Sequence, residues 1–233
     1  MKTIATTQED RPVYHFHHTA KAPSLEPTLG VPAEGWQKAE ATVVDVFHPK
    51  SGPIRPLTYF RGLYDKRNLY IRFDVMDQFV KITHTKRNSD VCMDNCAEFF
   101  VQPAPGPTYF NFEINGGGTM LLYCITDPRR DKHNHFRDFS PVAREWADQV
   151  EIRHSLPEVV RKAIKEPIAW TIAYRIPLAL FASELGSIGL AKGDVWHGNL
   201  YQCGGSDHWA MWSDIGRRLD YHQPKKFGTF LFD

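Results

Sequence analysis

Excess charge of one sign is missing from this sequence. Its 233 residues include 28 Lys and Arg against 27 Asp and Glu, which leaves a formal net charge of +1. A surface with so little net charge gives no general electrostatic attraction for nucleic acid or for an anionic membrane. We therefore expect neither as a partner.

Long hydrophobic runs are also missing. No segment approaches the roughly 18 consecutive apolar residues of a membrane-spanning helix, and residues 1–10 contain no apolar signal-peptide core. As written, the sequence has the features of a cytoplasmic protein. Nucleophile elbows, phosphate-binding glycine loops and zinc-protease spacings are likewise not found.

Cysteine is scarce, with only Cys92, Cys96, Cys124 and Cys203. Four cysteines without a pair of short two-residue spacings are too few for a disulfide scaffold. We predict free, partly buried thiols. A disulfide or a metal site is the alternative.

Aromatic residues, in contrast, are abundant. They make up 13% of the chain, with six Trp and fifteen Phe, and such residues favour sheets over helices. The length suits one large domain, since all-β sandwiches and barrels often reach this size undivided. We predict a single all-β domain over residues 1–233.

Alternation of apolar and polar residues locates the strands. Residues 59–64 and 69–75 read as a hairpin, and residues 168–176 show the same period of two. Pro177 should then begin a short helix over 178–184. Residues 127–147 are charged and aromatic without a clear period, which predicts a long surface loop.

The stretch from residue 90 to residue 118 carries the most informative pattern. Glu98 interrupts an otherwise apolar run, and Tyr109, Asn111 and Glu113 alternate with apolar residues. Because an unpaired buried carboxylate is costly, we expect these two runs to form an antiparallel hairpin with one shared polar face. That face suits a polyhydroxylated ligand. An ordinary solvated sheet face is the alternative.

The C-terminal third adds a second group of candidates. In the strand 195–203, Asn199 and Tyr201 share a face, and Trp209 and Trp212 follow in a loop. An aromatic ring can cover the apolar C–H face of a pyranose, while amide and carboxylate groups bind its hydroxyls. The predicted carbohydrate-binding residues are Glu98, Tyr109, Asn111, Glu113, Asn199, Tyr201, Trp209 and Trp212.

Taken in order, several segments resemble the family 9 carbohydrate-binding modules and their family 9-like relatives among the DOMON-like β-sandwiches. The segments that carry the resemblance are 63–71, 94–101, 109–115, 170–177, 199–204 and 222–228. The resemblance implies an antiparallel β-sandwich with little helix and a sugar site on one concave face. It also implies a secreted or periplasmic location, and a chain that works alone or within a larger polysaccharide-processing protein.

In that family two tryptophans hold a terminal sugar between them. Trp212 or Trp209 stands near the place of the later ring. The earlier place is taken by Cys92 and Met93, so the resemblance requires a substitute such as Tyr109 or Trp146.

Structural calcium is the cofactor that the resemblance implies. Calcium takes hard oxygen ligands, and the candidates at turns and strand ends are Asp65, Asp74, Asp77 and Asp94. Surface acidic residues without an ion are the alternative.

The leading functional prediction is a non-catalytic carbohydrate-binding domain. A glycoside hydrolase is the second, since Glu98 and Glu113 could form a carboxylate pair at the roughly 5–9.5 Å that such enzymes use. The third, suggested by haem-binding DOMON relatives, is a redox domain with ligands among Met76, Met93, Met120 and the histidines.

Overall fold

The computed structural model of the chain describes residues 11–30, 32–205 and 207–233. Residues 1–10, on which the expectation about a signal peptide depends, lie outside these ranges. The first eight strands are β1 (Val13–His18), β2 (Thr42–Val43), β3 (Val46–Phe47), β4 (Leu57–Tyr64), β5 (Asn68–Asp77), β6 (Val80–Ile82), β7 (Asn95–Gln102) and β8 (Tyr109–Asn115). The other eight are β9 (Met120–Arg130), β10 (Phe136–Pro141), β11 (Glu151–His154), β12 (Val160–Ile164), β13 (Ile168–Pro177), β14 (Val195–Gly204), β15 (His208–Met211) and β16 (Gly228–Phe232).

Helix is sparse, as predicted. The α-helices of the described residues are α1 (Arg144–Ala147) and α2 (Leu178–Leu185), and short 3-10 turns occur at Trp36–Lys38, Val91–Met93 and Pro224–Lys226. Helix α2 begins directly after Pro177, where the sequence placed it. No helix in the described ranges has the length and apolar character needed to cross a bilayer.

The strands form a sandwich of two sheets that meet at β1. The first sheet runs in the order β10-β9-β8-β7-β14-β16-β1, and the second runs β1-β4-β5-β13-β11. Val13 to Phe16 pair with β16 and His17 to His18 pair with β4. These two pairings are parallel, whereas the other pairings among the described residues are antiparallel. The predicted β-sandwich is confirmed, with a parallel join between its sheets.

The core lies between the sheets and is filled by aromatic rings. Phe60 of β4 stacks on Phe99 of β7 across the sandwich, with ring centroids 6.1 Å apart, and Phe99 stacks on Phe230 of β16. All three rings are fully buried. Each such side chain contributes roughly 1.5–3 kcal/mol by leaving water. The high aromatic content is thus explained mainly by the core.

Two sequence predictions about the fold are wrong. The segment expected to carry Trp209 in a loop forms strand β15 over His208–Met211, and the loop expected over residues 127–147 is also not found. In that range β9 continues to Arg130, β10 returns beside it, and α1 follows. Strand β10 ends the first sheet and is mostly solvent-exposed. A strand that is exposed on both faces has no buried face to impose an apolar period, so alternation could not reveal it.

Candidate functional site

The outer face of the first sheet collects polar residues from three neighbouring strands. Glu98 of β7 lies directly opposite Glu113 of β8, and opposite Tyr201 of β14 on its other side. Side chains at opposed positions share one face of a sheet. The hairpin predicted from alternation therefore forms, and its polar face points away from the core.

A cavity of about 450 Å³ lies over this face. Its floor includes Glu98, Glu113 and Cys203, and the rim includes Met93 and Asn134. The walls come from β15, the β9–β10 hairpin and the segment 218–222. Its volume is within the usual range for small-molecule sites.

Two aromatic rings line the cavity. Trp209 lies opposite Cys203 across β14 and β15, so its half-buried indole is on the same face as the carboxylates. Its backbone is held at both ends, because its N–H donates to Ser51 Oγ at 3.0 Å and its carbonyl accepts from His48 N. Tyr221 forms the other aromatic wall and stacks on Tyr201 with centroids 3.9 Å apart.

The carboxyl groups of the floor hold their protons unusually well. Burial raises the pKa of Glu98 well above its ordinary value, and neighbouring Cys203 and Glu113 raise it further. Burial also raises the pKa of Glu113 to about 7, although its Oε1 accepts a 2.8 Å hydrogen bond from Asn111 Nδ2. A protonated carboxyl can donate to a hydroxyl as well as accept from one.

A cluster of opposite charges forms the polar wall. Asp220 lies between two guanidinium groups, with Oδ2 2.9 Å from Arg218 Nη2 and Oδ1 3.8 Å from Arg130 Nη2. The Arg130 guanidinium also lies 3.8 Å from the centre of the Phe136 ring. These contacts hold Arg130 in place and offset much of its charge.

His222 completes the wall as a neutral group. Burial, together with the smaller effect of the Arg130 charge, lowers the pKa of His222 to about 3. Its Nδ1 lies 2.9 Å from the Tyr109 hydroxyl, so the two groups share a hydrogen bond whose direction depends on the imidazole tautomer. Nε2 lies 3.9 Å from Glu113 Oε1.

Four predicted site residues support the cavity from below. Asn199 Nδ2 donates to the Ser213 carbonyl at 2.8 Å, and the Tyr201 hydroxyl donates to the Tyr221 carbonyl at 2.8 Å. The Tyr109 hydroxyl forms a hydrogen bond with His222, and the Asn111 amide donates one to Glu113. Their polar groups are engaged within the protein, so they position the lining residues.

Trp212 lies away from the cavity. It is buried between the sheets, stacks on Phe230 at 5.6 Å, and donates from Nε1 to Thr42 Oγ1 at 3.2 Å. The reason is geometric: residues three apart on extended chain point to opposite faces, so Trp209 and Trp212 cannot share one. Trp146, the proposed substitute ring, packs against the core.

Several lining residues were not predicted from the sequence. Arg130, Asp220, Tyr221 and His222 reach the cavity from a hairpin and a loop without periodicity. The one sequence feature that pointed to any of them was the family resemblance of the segment 222–228, which includes His222.

Among the described residues, no three of the aspartates named for calcium come close enough together to share an ion. Asp74 pairs with Arg72 and Arg61, and Asp94 accepts from the backbone N–H groups of Thr83 and His84. Calcium needs six to eight oxygen ligands, and protein donors already engage these two carboxylates. Calcium binding stays a prediction, as these aspartates do not provide a shared site.

Among the described residues, one group of three metal-ligating side chains is close enough to hold a single ion. It consists of Cys96, Glu98 and Cys203, beneath the cavity. The methionines named for haem do not converge, since Met76 is exposed elsewhere, Met120 is in the core, and only Met93 lines the cavity.

Comparison with known proteins decides the family. The sequence profile of carbohydrate-binding family 9 matches residues 34–232. The chain belongs to this family. The predicted carbohydrate-binding β-sandwich is confirmed by that membership.

Solved structures of carbohydrate-binding proteins have the same fold as this chain. A candidate carbohydrate-binding protein from Bacteroides uniformis has 25% sequence identity and a TM-score of 0.79, over 96% of this chain and 100% of its own. A family 9 module from Caldicellulosiruptor kristjanssonii, solved with glucose, has 12% identity and a TM-score of 0.61, over 95% and 96% of the two chains. Its cellotriose complex has 12% identity and a TM-score of 0.63, over 95% and 94%. No curated protein sequence gives a significant match.

Proposed function

We propose that this family 9 domain binds the end of a neutral glycan in the cavity between Trp209 and the loop 218–222. The observation that carries the proposal is the half-buried Trp209 indole on the same face as the opposed pair Glu98 and Glu113. An indole beside hydrogen-bonding carboxyls matches the apolar face and the hydroxyl edge of a pyranose.

The charges of the cavity favour a neutral sugar over an acidic one. Its two arginines already contact Asp220, and its floor carries two further carboxyl groups. A uronate would bring a second negative charge beside Asp220, and among the described lining residues no unpaired guanidinium is left to balance it. The hydroxyls of a neutral sugar can instead accept from Arg130 and exchange hydrogen bonds with Glu113.

Glucose and cellotriose are the natural first probes, because a module of the same fold was solved with both. Isothermal titration calorimetry should detect binding by the wild-type domain. Trp209→Ala should weaken it by about 1–3 kcal/mol, the usual loss for an aromatic anchor, because the sugar loses its stacking surface.

Trp212→Phe is the matched control. It changes a tryptophan three residues away that is buried on the other side of the sheet, and sugar affinity should stay within experimental error. If Trp209→Ala bound as well as wild type, or if Trp212→Phe alone lost affinity, the site would lie elsewhere. Neutral oligosaccharides from other polymers should be tested in the same way.

Hydrolysis is the second candidate, and one observation favours it: Glu98 and Glu113 lie opposite each other in the same cavity. A retaining enzyme also needs one carboxyl ionised as a nucleophile, and burial opposes ionisation of Glu98. Binding is therefore the preferred function. Release of reducing sugar by the wild type, lost in Glu98→Gln while affinity is kept, would establish hydrolysis instead.

A further inference from the structure

Two thiols and a carboxyl group meet under the floor of the cavity. Cys96 of β7 lies directly opposite Cys203 of β14, and Glu98 follows two residues along β7 on the same face. One ligand atom from each residue lies within 4.8 Å of the other two. All three side chains are buried, and both cysteines are free thiols.

Glu98 has no cation to balance its charge. Within the described part of the chain, it forms no ion pair with Lys, Arg or His, and its recorded hydrogen-bond donor is the Cys203 thiol at 3.3 Å from Oε1. Leaving a carboxylate buried in this state is costly. Either a proton or a bound cation has to offset that cost.

The ligand types indicate which cation fits. Two sulfurs and one oxygen suit zinc, whereas calcium and magnesium prefer oxygen alone. Zinc lies about 2.3 Å from sulfur and 2.0–2.2 Å from a carboxylate oxygen, which places the ligand atoms of one tetrahedral ion roughly 3.5–3.8 Å apart. The 3.3 Å between Cys203 and Glu98 needs only a small adjustment.

The cluster is also accessible. Glu98 and Cys203 both line the cavity, so an ion can enter from solvent without opening the sandwich. Three protein ligands leave the fourth position of a tetrahedral zinc open. That position would face the space above the floor.

We propose that Cys96, Cys203 and Glu98 form a zinc site at the floor of the cavity, with the open ligand position facing the cavity. Binding releases the two thiol protons to solvent, and the proton of Glu98 where it carries one. The ion changes no oxidation state. The site does not depend on what the cavity binds.

The test uses the whole chain, reduced with a phosphine and freed of metal by dialysis against a chelator. Titration with Co²⁺ should produce a thiolate-to-cobalt charge-transfer band that saturates at one ion per chain. Zn²⁺ should abolish the band by displacement and should raise the melting temperature of the apoprotein.

Variants assign the ligands. Cys203→Ser should lose the charge-transfer band, and the isosteric Glu98→Gln should weaken cobalt binding at least tenfold. Cys124→Ala is the matched control, because Cys124 lies in the core on the other side of the first sheet, and it should keep the band. Circular dichroism confirms that each variant is folded.

Three results would overturn the proposal. They are a folded wild type that gives no charge-transfer band, a band that survives in both ligand variants, and a Cys96–Cys203 disulfide. The disulfide would appear as two titratable thiols in place of four before reduction, and as a mass lower by two hydrogen atoms. Trp209→Ala should lose sugar affinity and keep cobalt binding, so failure of the sugar site is distinguished from failure of the metal site.

Discussion

Single residues set the pH response of this domain, and Glu113 has the clearest effect. Its pKa rises from an ordinary value near 4.5 to about 7 in the folded state, mainly through burial. The folded protein therefore binds more protons than the unfolded chain between these two values. The contribution of Glu113 to the free energy of unfolding is therefore fully present below about pH 4.5 and is lost as the pH rises to 7.

Glu113→Gln removes this titration. Relative to wild type, the variant should gain up to about 3 kcal/mol of unfolding free energy between pH 4.5 and pH 7, since one pKa unit corresponds to about 1.4 kcal/mol. Urea unfolding at several pH values measures the difference. Glu145→Gln, an exposed change in α1, is the control and should run parallel to wild type; a Glu113→Gln difference that is flat with pH would contradict the prediction.

The sequence revealed the two carboxyl groups of the floor and the Trp209 wall, and it missed the wall formed by Arg130 and the segment 218–222. Glu98 and Glu113 were predictable because alternation fixes which face a strand residue occupies. Asp220 and His222 were not, because their position depends on how a loop folds over the sheet. Trp212 could have been excluded by applying the same alternation through β15.

At the scale of whole elements, close contact between strands and rings limits which residues can stand in β14. Gly198 lies opposite Gly228 of β16, and a Cβ at Gly198 would overlap the Phe230 ring and the Phe100 carbonyl oxygen. Because Gly198 has no side chain, the Phe230 ring can pack directly against the backbone of β14. This position therefore couples β14, which carries the floor, to the core.

Gly198→Ala should destabilise the fold by about 1–3 kcal/mol, the usual cost of overpacking. Thermal or urea unfolding measures this loss. Gly189→Ala is the matched control, because nothing lies within 4 Å of a Cβ there, and it should change stability by about 0.5 kcal/mol at most. If the two variants had equal free energies of unfolding, β14 would be able to shift and accommodate the added methyl group without cost, and the prediction would be wrong.

Across the whole molecule, buried Arg72 fastens the N-terminal segment to the second sheet. Its guanidinium is fully buried, pairs with Asp74 at 2.7 Å, and donates to the carbonyls of Glu26 and Thr28 at 3.2 and 2.6 Å. The overall sandwich was predictable from spaced alternating strands, whereas this attachment was not. Nothing in the local sequence indicates that an arginine in β5 would bind carbonyls more than forty residues away.

Arg72→Ala should cost about 3–5 kcal/mol, because it removes a fully buried guanidinium and leaves the Glu26 and Thr28 carbonyls and part of the Asp74 carboxylate without their partner. It should also make the segment 19–30 sensitive to limited proteolysis. Lys21→Ala, which breaks only the exposed pair with Glu34, is the control and should cost less than about 1 kcal/mol. Unchanged stability and protease resistance in Arg72→Ala would rule out the fastening role.

The parallel pairing of β1 has a consequence for synthesis of the chain. Its end at His17 and His18 can join β4 early, but Val13 must wait for Thr229, the partner that the ribosome makes about two hundred residues later. Contacts between such distant positions form slowly. We expect the β1–β16 pairing to form last, after β16 has been translated. Until then the edge of β1 that pairs with β16 is unpaired, and a chaperone could bind it.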